Sequence, residues 1–192
     1  MAISSHHPRA QSSIDTKLSP IPVEVYLPSL VFRGTLLTRH NRLSDWLNLK
    51  SSDSMLRLDD VEVEMLSGKP SFAKCQDALI NKQQITFVID LSPAGSHQRE
   101  ELSLVHKEPH RVFAEIGSFW LEGNIHVAPG FDLSTFADGK NTFLPLTDAS
   151  FVNLRRAEPR TLLINREKLS CLLPFTEAIP AAVAPTLTRQ SL

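Results

Sequence analysis

Nearly the same order of residues occurs twice in this chain. Around Gly34 it reads LVFRGTLLTRHNRLSDWLN and then SMLRLDD. Around Gly123 it reads SFWLEGNIHVAPGFDLSTFAD and then TFLPLTD. Each passage is an apolar strand interrupted by glycine, a second apolar stretch, a Leu-Ser step, an aromatic residue, Asn or Asp, and then Leu-x-Leu-x-Asp. An internal repeat constrains the fold more than any single motif, because both copies must satisfy one architecture.

Period-2 alternation marks the strands. Val23, Val25 and Leu27 alternate with Glu24 and Tyr26, and Pro28 ends that strand because proline cannot donate to a ladder. The next strand runs from Leu30 to Arg39, with Gly34 in its middle, where glycine marks a bulge or bend. Ser44 is expected to N-cap a short helical turn over Asp45 to Leu49. Met55 to Met65 reads as a long strand whose apolar parity switches at Asp59–Asp60, which predicts a bulge there. ITFVIDL is a strongly apolar strand. In the second copy the strands are Arg111 to Ile116, Ser118 to Val127 and Thr142 to Leu154, with Thr161 to Ile164 matched to Phe87 to Ile89 and Asn165 to Asp90. LSCLLPF closes the copy. On this alignment Ser67 to Gln84 is an insertion carried by the first copy alone.

The expected organisation is a polar disordered tail over 1–19, a first β unit over 20–92, a linker over 93–108, a second β unit over 109–175 and a disordered tail over 176–192. Units of this size have marginal cores, and short strands solve the edge problem by closing into barrels. The expectation is therefore a mainly β protein of two tandem SH3-like or Sm-like small barrels, each with one helical turn. The recurring positions Gly34 and Gly123, Ser44 and Ser134, and Asp60 and Asp148 read as makers of bends, caps and bulges.

Arg42-Leu43-Ser44-Asp45-Trp46-Leu47-Asn48 in the first copy carries one signature. Phe143-Leu144-Pro145-Leu146-Thr147-Asp148-Ala149 and Leu163-Ile164-Asn165-Arg166 in the second carry others. Together they resemble a family of uncharacterised bacterial small-barrel domains, a domain of unknown function. The first copy has Val61 where the pattern has alanine, and the second lacks the Arg and Asn of the turn. The resemblance implies no activity.

With 192 residues, 42% of them apolar, the chain can build real cores; its 20 basic and 21 acidic residues argue against bulk DNA or an anionic membrane as partner. No apolar run approaches the length of a membrane-spanning helix, and the polar N-terminal stretch is not a secretory signal. The expected location is cytoplasmic. Cys171, in an apolar run, reads as a buried inert thiol, and nothing pairs it with Cys75.

No nucleotide-binding glycine loop occurs, and no histidine pair has i, i+4 spacing on a helix with a nearby glutamate, since Pro109 interrupts a helix between His106 and His110. No catalytic residue, cofactor or metal is expected, and the chain reads as a non-enzymatic scaffold or protein-interaction module, self-association included. Two further readings are kept. One is Sm-like RNA binding through Arg33, Arg39, His40, Arg42 and Trp46, with Arg155, Arg156 and Arg160 in the second copy. The other is a small-ligand sensor with its pocket between the units. In the scaffold reading, function belongs where the copies differ: the basic turn and the segment from Ser67 to Gln84.

Overall fold

Alternating apolar residues become strands throughout. The computed structural model describes residues 18–40, 42–49, 54–66, 72–93, 106–130, 136, 139–152 and 160–175. The expected tails, except Leu18 and Ser19, and most of the expected linker, together with Ser134, Arg155 and Arg156, lie outside the described residues; Ser19, expected in the tail, begins the first strand. The first half contains β1 (Ser19–Tyr26), β2 (Leu30–Thr38), α1 (Leu43–Leu47), β3 (Met55–Met65), β4 (Phe72–Asn81) and β5 (Phe87–Asp90). The second contains β6 (Glu108–Ile116), β7 (Phe119–Val127), β8 (Phe143–Phe151), β9 (Arg160–Asn165) and β10 (Leu169–Pro174).

All ten strands join one antiparallel sheet in the order β10-β6-β7-β8-β9-β5-β1-β2-β3-β4. Read by half, the order is β5-β1-β2-β3-β4 on one side and β10-β6-β7-β8-β9 on the other, so the same connectivity occurs twice. The registers superimpose as well. Val23 faces Gly34 and Asp90, and Val112 faces Gly123 and Pro174.

Two expectations need correction. The segment from Ser67 to Gln84 is not an insertion, because its larger part is β4, the counterpart of β9. Asn81 caps a 3-10 turn over Lys82–Gln84 by accepting from the Gln83 amide, and Asn165 does the same for the Glu167 amide and the turn over Arg166–Lys168. Thus β4 matches β9 and β5 matches β10. The matching of Thr161 to Ile164 with Phe87 to Ile89 was displaced by one strand.

The sheet also does not close into barrels. A closed first half would pair β5 with β4. Instead Phe87, Val88 and Ile89 pair with Ile164, Leu163 and Leu162 of β9. That junction makes one continuous open sheet and leaves β4 and β10 as its edges.

The core follows from the junction. Successive side chains alternate between sheet faces, and the paired stretches of the junction, Phe87–Ile89 and Leu162–Ile164, are apolar at every position, as burial on both faces requires. Val88 and Leu163 enter a core with Val23, Val25, Leu36, Leu58 and Ile80. Phe87, Ile89, Leu162 and Ile164 enter a second core with Val112, Leu121, Ile125 and Leu146. Tyr26 reaches across into this second core, stacking on Phe87 at 4.4 Å and meeting Phe119 edge-on at 5.7 Å.

Candidate functional site: the basic turn, the bulges and the sheet edges

The β2–β3 bulge arises because Arg33 faces Glu62 while Thr35 faces Asp59, so Gly34 opposes more than one residue. Asp60 absorbs the extra residue with a φ of 53°, a left-handed conformation that Asp tolerates better than most residues. In the second half the shift falls between Glu122 and Asn124, and Asp148 has a φ of 49°. Glycine is required opposite. A Cβ on Gly34 would sit 3.0 Å from the Asp59 carbonyl oxygen; one on Gly123 would sit 2.8 Å from Leu146 Cγ and 2.9 Å from the Thr147 carbonyl oxygen. Asn124 Nδ2 further ties down the second bulge by donating to Asp148 Oδ2 at 3.0 Å. Asp60 and Asp148 are thus backbone devices.

Helix α1 starts at Leu43, two residues earlier than the sequence suggests. Its N-cap position is Arg42, with no side-chain cap, and Ser44 lies inside the helix with its hydroxyl donating to Asp45 Oδ1 at 3.3 Å. The cap expected at Ser44 is therefore absent. Burial of Leu43 and Leu47 anchors the turn instead. Asn48 then locks the helix end to the other half: its Nδ2 donates to the Phe143 carbonyl and its Oδ1 accepts from the Phe143 amide, both at 2.8 Å.

The basic residues divide into two groups. Arg39 and Arg42 are exposed, His40 is half-buried with its amide donating to Thr38 Oγ1, and half-buried Trp46 carries Lys82 Nζ at 4.0 Å over its ring. These belong to one turn. Arg33 does not, since roughly 20 Å of strand separates it from Arg39. Its guanidinium is held by Glu24 Oε1 at 2.9 Å and Glu64 Oε2 at 2.7 Å. The bond to Glu24 is the main reason its pKa is raised above the ordinary arginine value. Glu24 is buried and also accepts from the Tyr26 hydroxyl at 3.0 Å. Arg33 therefore serves an internal ion pair beside the junction. The sequence pointed to Arg33 but not to its partners, which only the β1–β2–β3 register brings together.

Sequence reading missed the sheet edges. On β4, residues 73 to 77 are exposed, and the exposed Leu79 breaks the polar run. On β10, Leu173 is exposed and Cys171 is half-buried, its thiol 3.8 Å from Glu115 Oε2. Cys171 is less buried than expected because β10 has a neighbour on one side only. An open depression beside the first bulge is lined by Asp60, Val61, Glu62, Lys74, Cys75 and Gln76. Its Glu62 and Lys74 side chains pair with each other as an exposed ion pair, and no cluster of three potential metal ligands occurs among the described residues. Among the described residues no helix is long and apolar enough to cross a membrane.

No family model, no curated protein and no solved structure matches this chain.

Proposed function

We propose that this protein is a non-enzymatic scaffold that binds protein partners along the edges of its sheet. The supporting observation is that both edge strands keep apolar side chains in solvent, Leu79 on β4 and Leu173 on β10. An unpaired edge offers backbone donors and acceptors for strand addition, and an exposed apolar residue there favours docking. The recurring strand order supports reading each half as one open small-barrel unit, the two merged through β5 and β9.

The test is retention of proteins from the source cells on the immobilised chain, compared with Leu79→Lys and Leu173→Lys. Loss of specific partners in either variant is the expected result. A partner set indifferent to both variants would overturn the reading.

The basic turn favours a second reading, RNA binding through Arg39, His40, Arg42 and Trp46. Lys82 already covers one face of the Trp46 ring, which leaves less surface for a stacked base. A salt-dependent shift of labelled single-stranded RNA, abolished by Arg39→Ala with Arg42→Ala, would establish it.

A further inference from the structure

The junction inside this chain has a second, unused copy of both of its faces. The junction joins β9 to β5. The counterpart of β9 in the other half is β4, and the counterpart of β5 is β10, and these are the two strands that end the sheet. We propose that β10 of one molecule adds to β4 of a second copy, in the register that β5 and β9 use within the chain. This rests on the scaffold reading and names the partner.

The register follows from the matched pairs. Phe87, Val88 and Ile89 face Ile164, Leu163 and Leu162. Their counterparts place Cys171 opposite Ile80, Leu172 opposite Leu79 and Leu173 opposite Ala78 of the second copy. Exposure supports this placement residue by residue. Leu163 is 3% exposed in the junction, and its counterpart Leu79 is 63% exposed. Ile89 is 1% exposed, and its counterpart Leu173 is 54%. Phe143, at the start of β8, is 1% exposed, and its counterpart Met55 is 37%. Three side chains that the internal junction buries have apolar counterparts left in water, two on the edge strands and one on β3 beside β4.

Side chains that stay within their own half behave differently. Ile80 is buried like Ile164, and Leu172 packs on its own core as Val88 does. Among the described residues, the large apolar side chains exposed on β4 and β10 are Leu79 and Leu173, the counterparts of two residues that cross the junction. The charged residues of β4, Lys74 and Asp77, lie outside the three paired positions and are engaged with Glu62 and Arg57 of β3.

The contact between copies is weaker than the internal one. Phe87, which stacks on Tyr26, is replaced by Cys171, and Tyr26 by Glu115. Association is therefore reversible and concentration-dependent. Because β10 and β4 are different surfaces, the contact is heterologous and either closes as a ring or extends as an open chain.

Size-exclusion chromatography with light scattering on the full chain tests this. Wild type should exceed the chain mass of 21.4 kDa increasingly as concentration rises. Leu79→Lys and Leu173→Lys should each remain at 21.4 kDa with the wild-type melting temperature at low concentration, since both side chains are exposed. An equal mixture of the two variants retains one intact β10 and one intact β4. It should form a species of twice 21.4 kDa that does not grow further. A wild type that is monomeric at every concentration, single variants that assemble like wild type, or a mixture that fails to pair would each overturn the proposal. A monomeric wild type that still holds a cellular protein through Leu79 would end self-association and leave the scaffold reading in place. A monomer that holds nothing would end both.

Discussion

Leu79 and Leu163 occupy the same position in two copies of one strand, yet one is exposed and the other buried. Both precede Ile-Asn and a cation, although Leu79 follows Ala78 and Leu163 follows Leu162. What differs is the strand beside them. β9 has β5 along its outer side, while β4 has none among the described residues. The fate of the leucine is set by where its strand stands in the sheet. The two halves thus share an architecture and differ in which edges are consumed.

The sharpest way to break this comparison is to truncate both leucines. Leu163→Ala should cost about 2–5 kcal/mol in urea unfolding, the range for a buried leucine. Leu79→Ala, measured where the protein is monomeric, should stay within about 0.5 kcal/mol of wild type. Equal costs would mean that the halves are not distinguished by the junction.

The glycines give the next largest effect. Gly123→Ala and Gly34→Ala should each destabilise by about 1–3 kcal/mol, as overpacking does. Gly123→Ala should cost more, because its added Cβ meets Leu146 and the backbone of Thr147 and Ala149 at shorter distances than its counterpart meets. Thermal unfolding of the two variants side by side would show the order.

Asn165 and Asn81 sharpen the comparison further. Asn165 is buried, caps its 3-10 turn, and also donates to the Ile85 carbonyl at 2.8 Å across the junction. Asn165→Ala should lose about 1–3 kcal/mol, the cost of leaving a buried polar group unsatisfied. Asn81 is only half-buried, and its side chain caps by accepting from the Gln83 amide. Asn81→Ala should lose about 1 kcal/mol or less, as cap removal does.

The smallest effect lies on the outer edge. Lys74 bonds to Glu62 and holds its carboxyl below the ordinary glutamate value, and Glu62 in turn raises Lys74. A depressed carboxyl stabilises the fold above its unfolded pKa, and that contribution is lost as pH falls through the folded value. On an exposed pair the stability change is slight, but an NMR titration resolves it. Lys74→Ala should move the Glu62 midpoint upward toward the ordinary range.

The sequence made the bulges legible. Glycine mid-strand and a parity switch at Asp59–Asp60 have local causes, and Gly34 and Asp60 occur where those causes predict. The apolar runs around Val88 and Leu163 likewise mark strands, since a strand covered on both faces needs no polar positions. β4 was hidden for the opposite reason. Its exposed residues, Lys74, Cys75, Gln76 and Asp77, show no apolar alternation because an edge strand buries so little. The signal that finds it is local identity: Leu79-Ile80-Asn81-Lys82 against Leu163-Ile164-Asn165-Arg166. Closure was misread because the pairing of β5 with β9 brings together residues more than 70 positions apart, and no local pattern distinguishes it from pairing with β4. The Arg33–Glu24–Glu64 cluster escaped for the same reason, because it exists only once the register is set.

The central claim is that the two halves form one sheet through β5 and β9. Amide hydrogen exchange on the intact chain, at a concentration where it is monomeric, tests this most directly. The ladder amides of Phe87–Asp90 and Arg160–Asn165 should be among the slowest to exchange and should open with the global unfolding reaction, while β4 and β10 exchange faster. Exchange in β5 and β9 as fast as in β4 and β10, with each half opening independently, would contradict it.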